Sequence, residues 1–195
     1  MRRIRIIVFL ETLLIALAIT SAEAVPVQGP DGYFYELVPT PVTWPTARAA
    51  ALASSHQGVP GHLAIVTSAA VDSFLAGLGP IGWLGGSDQA SEGTWTWSDG
   101  PQANQVFWIG GPGGSAPGGV YTNWGLAQPD NGGVQNILLR GPAGWDDFGG
   151  VQPYSVRYAA PEPGTFLLFG AALAGAGLAS WHQRRRGRAL GRMGR

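Results

Sequence analysis

The 195-residue chain contains no cysteine and no lysine. Without cysteine there is no disulfide, no thiol nucleophile and no thiolate-ligated zinc. Without lysine, a phosphate-loop lysine, a Schiff base and a lysine general base are all excluded. Charge of either sign is scarce, at 12% of residues, and the formal net charge is zero. That balance argues against a basic nucleic-acid binder, but it hides a segregation. Arg2, Arg3 and Arg5 precede one apolar run, and Arg184, Arg185, Arg186, Arg188, Arg192 and Arg195 follow another. Between Val25 and Ala160 only Arg48, Arg140 and Arg157 remain, against nine acids, so the middle carries three minus nine, or −6. Length and a 45% hydrophobic content suit one domain with a real core.

Both ends read as addresses. Residues 1–24 have a basic start, an apolar stretch from Ile6 to Ala18 interrupted by Glu11, and the triplet Ala22-Glu23-Ala24. This is the layout of a secretory signal peptide with cleavage expected after Ala24; a buried N-terminal helix would need a partner for Glu11. At the other end Pro161-Glu162-Pro163-Gly164 leads into an uncharged run over 165–181 and then the arginine cluster. Seventeen residues reach the lower limit for a membrane-spanning helix, with the arginines holding its far end in the cytoplasm. Pro-Glu-Pro, a short apolar helix and a basic tail, in that order over 161–195, resemble the PEP-CTERM sorting signal of exopolysaccharide-producing bacteria. The resemblance implies export, membrane anchoring and processing by an exosortase near Pro-Glu-Pro. An uncleaved single-pass anchor is the alternative.

Residues 25–160 are left for one exported domain. Tyr33 to Val38 is aromatic and β-branched, as a first strand would be. Thr43 and Pro45 open a helix running through the alanines to about Ser55, stopped by Gly58 and Pro60. Leu63-Ala64-Ile65-Val66 reads as a short buried strand. Ser68 caps a second helix whose Val71, Phe74, Leu75 and Leu78 share one face, and Gly79-Pro80 ends it. The chain then loses helical periodicity. Strand candidates are Thr94 to Trp97, Ile137 to Leu139 and Tyr154 to Tyr158, and residues 110–119 are too glycine-rich to be anything but loop. The expected class is α+β, with the first and last strands paired and a loop-rich half free to carry a site.

Five motifs follow in order: Gly82-Trp83-Leu84-Gly85-Gly86-Ser87-Asp88, Glu92-Gly93-Thr94-Trp95-Thr96-Trp97, Asn123-Trp124, Gln128-Pro129-Asp130-Asn131 and Gly144-Trp145-Asp146-Asp147. Together, over about Gly32 to Tyr158, they resemble the C-type lectin domain. The fold so implied has two helices, small antiparallel sheets and a long loop-rich region. This chain departs from the pattern in lacking the two disulfides that usually close it; Ile137 takes one cysteine position and Tyr158 lies near another. Stability then rests on packing of Trp44, Trp83, Trp95, Trp97, Trp124 and Trp145.

By that resemblance Gln128, Asp130, Gln135, Asp146 and Asp147 would hold Ca²⁺, with Asn136 an alternative to Gln135 as amide ligand. Gln128, Pro129, Asp130, Asn131 and Asp146 would meet the sugar, and Pro129 would provide a cis peptide. Gln135-Asn136 stands where the family writes Glu-Asp, so one carboxylate is missing, while Asp146 in place of an asparagine returns a charge. Gln-Pro-Asp is the galactose-type variant, but the aromatic ring that usually follows is replaced by Asn131-Gly132-Gly133. Trp108 or Tyr121 offers a ring for sugar stacking, or for packing. Two readings stand: a calcium-dependent carbohydrate-binding module for exopolysaccharide or other glycans, and a calcium-independent structural or interaction domain of the same fold. An enzyme is not expected. Gly-x-Ser-x-Gly is nowhere complete, His56 and His62 lack zinc-site partners, and Asp146-Asp147, adjacent in a turn, cannot straddle a glycoside.

Overall fold

The computed structural model describes residues 25–132 and 135–161. The expected signal peptide at 1–24 and membrane helix at 165–181 lie outside the described residues. Their elements are β1 (Val27–Gln28), β2 (Phe34–Val42), α1 (Trp44–Ala53), β3 (Ser55–His56), β4 (Val59–Leu63), α2 (Ala69–Leu78), β5 (Gly82–Ser87), β6 (Thr94–Trp97), β7 (Val106–Ile109), a 3₁₀ turn (Pro117–Gly119), β8 (Ile137–Gly141), β9 (Gly144–Phe148) and β10 (Gln152–Tyr158). The class is α+β, as expected.

β10 is the hub. It runs antiparallel to β2 from Gln152 opposite Val42 to Tyr158 opposite Phe34, so the two ends of the domain meet. Its other edge pairs antiparallel with β4 and parallel with β5, through Tyr154 and Trp83. From β5 the sheet branches to β6 and β7 on one side and to the β8–β9 hairpin on the other. Two clusters of buried side chains fill the interior. One holds Tyr35, Leu84, Trp95, Trp97, Phe107 and Trp145; the other holds Trp44, Leu63, Trp83, Leu139, Val156 and Tyr158. The packing of tryptophans expected in place of disulfides is there, with Trp124 packed half-buried against the first cluster.

The helices form for the local reasons read from the sequence, with shifted boundaries. Trp44, Ala47 and Ala51 are the buried face of α1, and the Trp44 indole N–H donates to the Leu84 carbonyl at 2.8 Å. Thr43 occupies the cap position, but its hydroxyl meets Thr46 Oγ1 at 3.0 Å and no backbone N–H. The helix ends at Ala53, earlier than expected, because Ser54 turns back onto the Ala51 carbonyl. Gln57 and Gly58, both at positive φ, then join β3 to β4 as a tight hairpin. α2 is capped as expected, the Ser68 hydroxyl accepting from Val71 N at 3.3 Å, and Gly79 ends it.

The expected strand at Leu63–Val66 is corrected: the ladder occupies Val59–Leu63. Ala64–Val66 are fully buried single-layer connections, with Ala64 N bonded to Ser155 O and Ala64 O to Gly85 N. Five strands, β1, β3, β5, β7 and β9, were not expected. In β5 the glycines replace side chains for want of room: a Cβ at Gly86 would stand 2.7 Å from Leu138 Cδ2 and 2.9 Å from Phe107. β9 corrects the reading of Asp146-Asp147 as a turn, since both lie within a strand.

Candidate functional site

The Gln128–Pro129 peptide is cis, as the motif implied. Around it the polar groups satisfy one another. Asp147 lies on the same face of β9 as Trp145, and both are wholly buried. Its carboxylate accepts the backbone N–H of Asp130 at 3.0 Å and of Asn131 at 2.6 Å, so β9 anchors the loop through two charge-assisted bonds. Asp130 N also meets Gln128 Oε1 at 3.0 Å, and Asp130 Oδ1 accepts from Gly132 N at 2.9 Å. Asn131 sits at φ 49°, where its amide spans the site: Nδ2 donates to Glu92 Oε1 at 2.7 Å and Oδ1 accepts from Gln135 N at 3.2 Å.

Gln128, Pro129, Asp130, Asn131, Asp147 and the backbone of Gln135 are thus in one bonded unit. The Gln135 side chain reaches it too, since Gln135 Oε1 and Asp130 Oδ1 flank the same side of Gly132. Asp146 is half-buried on the alternate face of β9, near enough for the Asp147 and Asp130 charges to add to burial in raising its pKa.

Two acids with no role assigned from the sequence stand beside this unit. Asp88, directly after β5, is 2% exposed. Its Oδ2 accepts from Gly93 N at 2.9 Å, while Oδ1 has no partner among the described residues. Burial first, then the nearby Glu92 and Asp147 charges, push the Asp88 pKa up to about 6 against the pull of the Gly93 bond. A cavity of about 50 Å³ lies among Asp88, Glu92, Gly93, Gly110, Asn131 and Asp147. The signal was present in the sequence as two carboxylates four apart in the turn between β5 and β6.

The calcium expectation meets this donor set as follows. Both Asp147 oxygens and one Asp130 oxygen already accept backbone N–H groups. Gln135 supplies a neutral oxygen where a carboxylate is wanted. Among the described residues no group of three or more His, Cys, Asp or Glu side chains is arranged to hold a metal ion.

Both aromatic candidates for sugar stacking make packing contacts, and Tyr121 stays half-buried. Trp108 lies 6.1 Å from Trp124 and bonds the Gly111 carbonyl at 3.3 Å, while Tyr121 packs on Trp145 at 5.8 Å and donates to Asp72 at 3.0 Å. The histidines are structural: His56 packs between Phe34 and Tyr158, and His62 is buried, its Nδ1 2.8 Å from the Leu63 carbonyl.

Comparison with known proteins adds two findings. Residues 159–186 match the PEP-CTERM protein-sorting motif. The chain is 39% identical to halomucin of Haloquadratum walsbyi over 101 residues, 51% of this chain and 1% of halomucin. It is 36% identical to perlucin of Haliotis laevigata over 98 residues, 45% of this chain and 53% of perlucin. The match therefore spans about half of one relative and a sliver of the other. Among solved structures, the C-type lectin CEL-I of Cucumaria echinata superposes with TM-score 0.51 at 23% identity, over 65% of this chain and 90% of CEL-I. A calcium-independent type II antifreeze protein superposes with TM-score 0.51 at 21% identity, over 66% and 88%. The human scavenger receptor C-type lectin carbohydrate-recognition domain does so with TM-score 0.51 at 20% identity, over 66% and 92%. None of these is named as an enzyme. The chain carries a PEP-CTERM sorting motif, which directs it to the cell surface or beyond, behind a domain with the C-type-lectin-like fold.

Proposed function

We propose that this is an exported binding domain of the C-type-lectin-like fold that engages its partner without calcium. The observation that carries the reading is the Asp147 carboxylate, whose two oxygens accept the backbone N–H groups of Asp130 and Asn131 and so hold the loop from within the chain. The loop thus has an internal clasp that does the ordering work a cation would otherwise supply. The likeness to a calcium-independent antifreeze protein supports the fold's capacity for this mode. Its setting is the cell surface: the run at 165–181 serves as a membrane anchor, an exosortase processes the chain near Pro-Glu-Pro, and exopolysaccharide or another surface glycan is the partner in reach.

One observation favours a calcium-dependent lectin instead. Asp88, Asp130, Asp146 and Asp147 gather with no arginine paired to them among the described residues, and Asp88 and Asp146 both have raised pKa values. An ion at Gln128, Asp130, Gln135, Asp146 and Asp147 would relieve that repulsion, provided the Asp147 clasp opened. Thermal unfolding of the full chain in calcium and in chelator separates the two. A binding ion raises stability by about 2.7 kcal/mol at a hundredfold excess over Kd. The proposal expects superimposable melts; a calcium-dependent rise abolished in Asp146→Ala would overturn it.

A further inference from the structure

A second cavity, of about 280 Å³, opens between the connection into α2, the end of β6 and the long loop before Asn123. It shares no lining residue with the acidic cavity. The half-buried Tyr121 ring supplies aromatic surface alongside the Trp97 indole, which is 3% exposed, while Thr67, Gln102 and Gln105 supply polar groups and two valines complete it. Its size lies at the small end of ligand sites, and its lining is shared about evenly between apolar and polar surface.

No lining side chain carries a charge. The Tyr121 phenol is neutral near pH 7 at its ordinary pKa, and burial and Asp72 push that pKa further up to about 12. The charges just behind the lining are already matched. Asp72 accepts from Tyr121 at 3.0 Å and from Asn123 Nδ2 at 2.6 Å. Arg157 pairs with Asp31 at 2.9 Å and donates to Gln102 Oε1 at 3.3 Å. That last bond fixes the Gln102 carboxamide, with its oxygen turned to Arg157 and its NH₂ left as donor. Gln105 and Thr67 are exposed, and their side-chain polar groups make no hydrogen bond among the described residues. Each both donates and accepts.

From this we infer that the Trp97–Tyr121 cavity is a binding subsite for one neutral pyranose unit of a glycan. A sugar ring presents an apolar face and a rim of hydroxyls that donate and accept, which matches aromatic surface bordered by carboxamides and a hydroxyl. The −6 charge of residues 25–160 disfavours an acidic polymer. The inference rests on the calcium-independent reading and names its ligand class and place.

The test uses the full chain in a polyoxyethylene detergent with chelator present. Methyl glycosides of glucose, galactose, mannose and N-acetylglucosamine are the probes, with methyl glucuronide as the charged counterpart, and saturation-transfer NMR and titration are the readouts. We expect at least one neutral glycoside to bind and the glucuronide to bind more weakly. Gln105→Ala combined with Thr67→Ala should weaken binding about tenfold through the lost hydrogen bonds, leaving the melting curve unchanged. Asp146→Asn should leave binding intact. Absence of binding by all four neutral probes, or preference for the glucuronide, would overturn the subsite. Binding in chelator that ignores the double variant would overturn the subsite but leave the calcium-independent reading standing. Binding that requires calcium and is lost in Asp146→Asn would overturn both.

Discussion

The domain buries charge in two places and handles it in opposite ways. Near the joined ends, Arg157 is 2% exposed, yet it is paired with Asp31 at 2.9 Å, stacked on Tyr33 at 3.5 Å and bonded to Gln102. Tyr35 completes the set by donating to Asp31 at 2.7 Å. In the loop half, Asp88 and Asp147 are buried without an ion-pair partner among the described residues, and backbone N–H groups donate to them. The first arrangement ties strands β2 and β10 to the N-terminal turn, as a covalent cross-link might in a chain with cysteines. The second holds a loop in shape while keeping acids crowded. A buried pair is costly to break, whereas a crowded carboxylate is costly to keep ionised.

The difference should be visible in variants. The largest effect is expected from Arg157→Leu, which strands the Asp31 carboxylate: urea unfolding should show a loss of about 3 to 5 kcal/mol. A loss below about 1 kcal/mol would mean that the cluster at the joined ends is no stronger than a surface ion pair. Next comes Asp147→Ala. Removing an acceptor from two buried N–H groups should cost about 2 to 3 kcal/mol and strip hydrogen-exchange protection from the Asp130 and Asn131 amides. Retained protection at those two amides would show that something other than Asp147 holds the loop.

The smallest effect has the opposite sign. The Asp88 pKa is raised from 3.8 to about 6 in the folded state, so between those values the native state binds more protons than the unfolded one. Stability from this group therefore falls as pH rises through that window and stays low at neutral pH. Asp88→Asn should stabilise the protein at pH 7 by on the order of 1 to 2 kcal/mol and flatten the pH profile of the urea midpoint. A variant less stable than the parent at neutral pH would show that the ionised Asp88 is answered by a charge it does not face here.

Sequence legibility divides along similar lines. Helix α2 was readable because Ser68, the Val71–Leu75 face and Gly79 act locally, and β6 because Trp95 and Trp97 alternate with threonines. The cis Gln128–Pro129 peptide came with a motif. β5 was not readable as a strand, since all six of its residues are buried and its glycines answer to Leu138 and Phe107 from distant segments. β9 was hidden by its two aspartates, because polar residues at successive positions suggest a turn until a partner such as β8 shows one of them facing inward. Asp88 escaped notice as a site residue for a related reason: its surroundings are assembled by tertiary structure, from Gly93, Glu92 and Asp147.

β10 is also the last strand among the described residues to be synthesised, and it is the one that β2, β4 and β5 all pair with. Until residues 152–158 emerge, the sheet lacks its shared member and every long-range ladder through it is unmade. The sorting motif begins at residue 159, directly behind that strand. The sheet therefore cannot close until the residues that adjoin the sorting motif have been made.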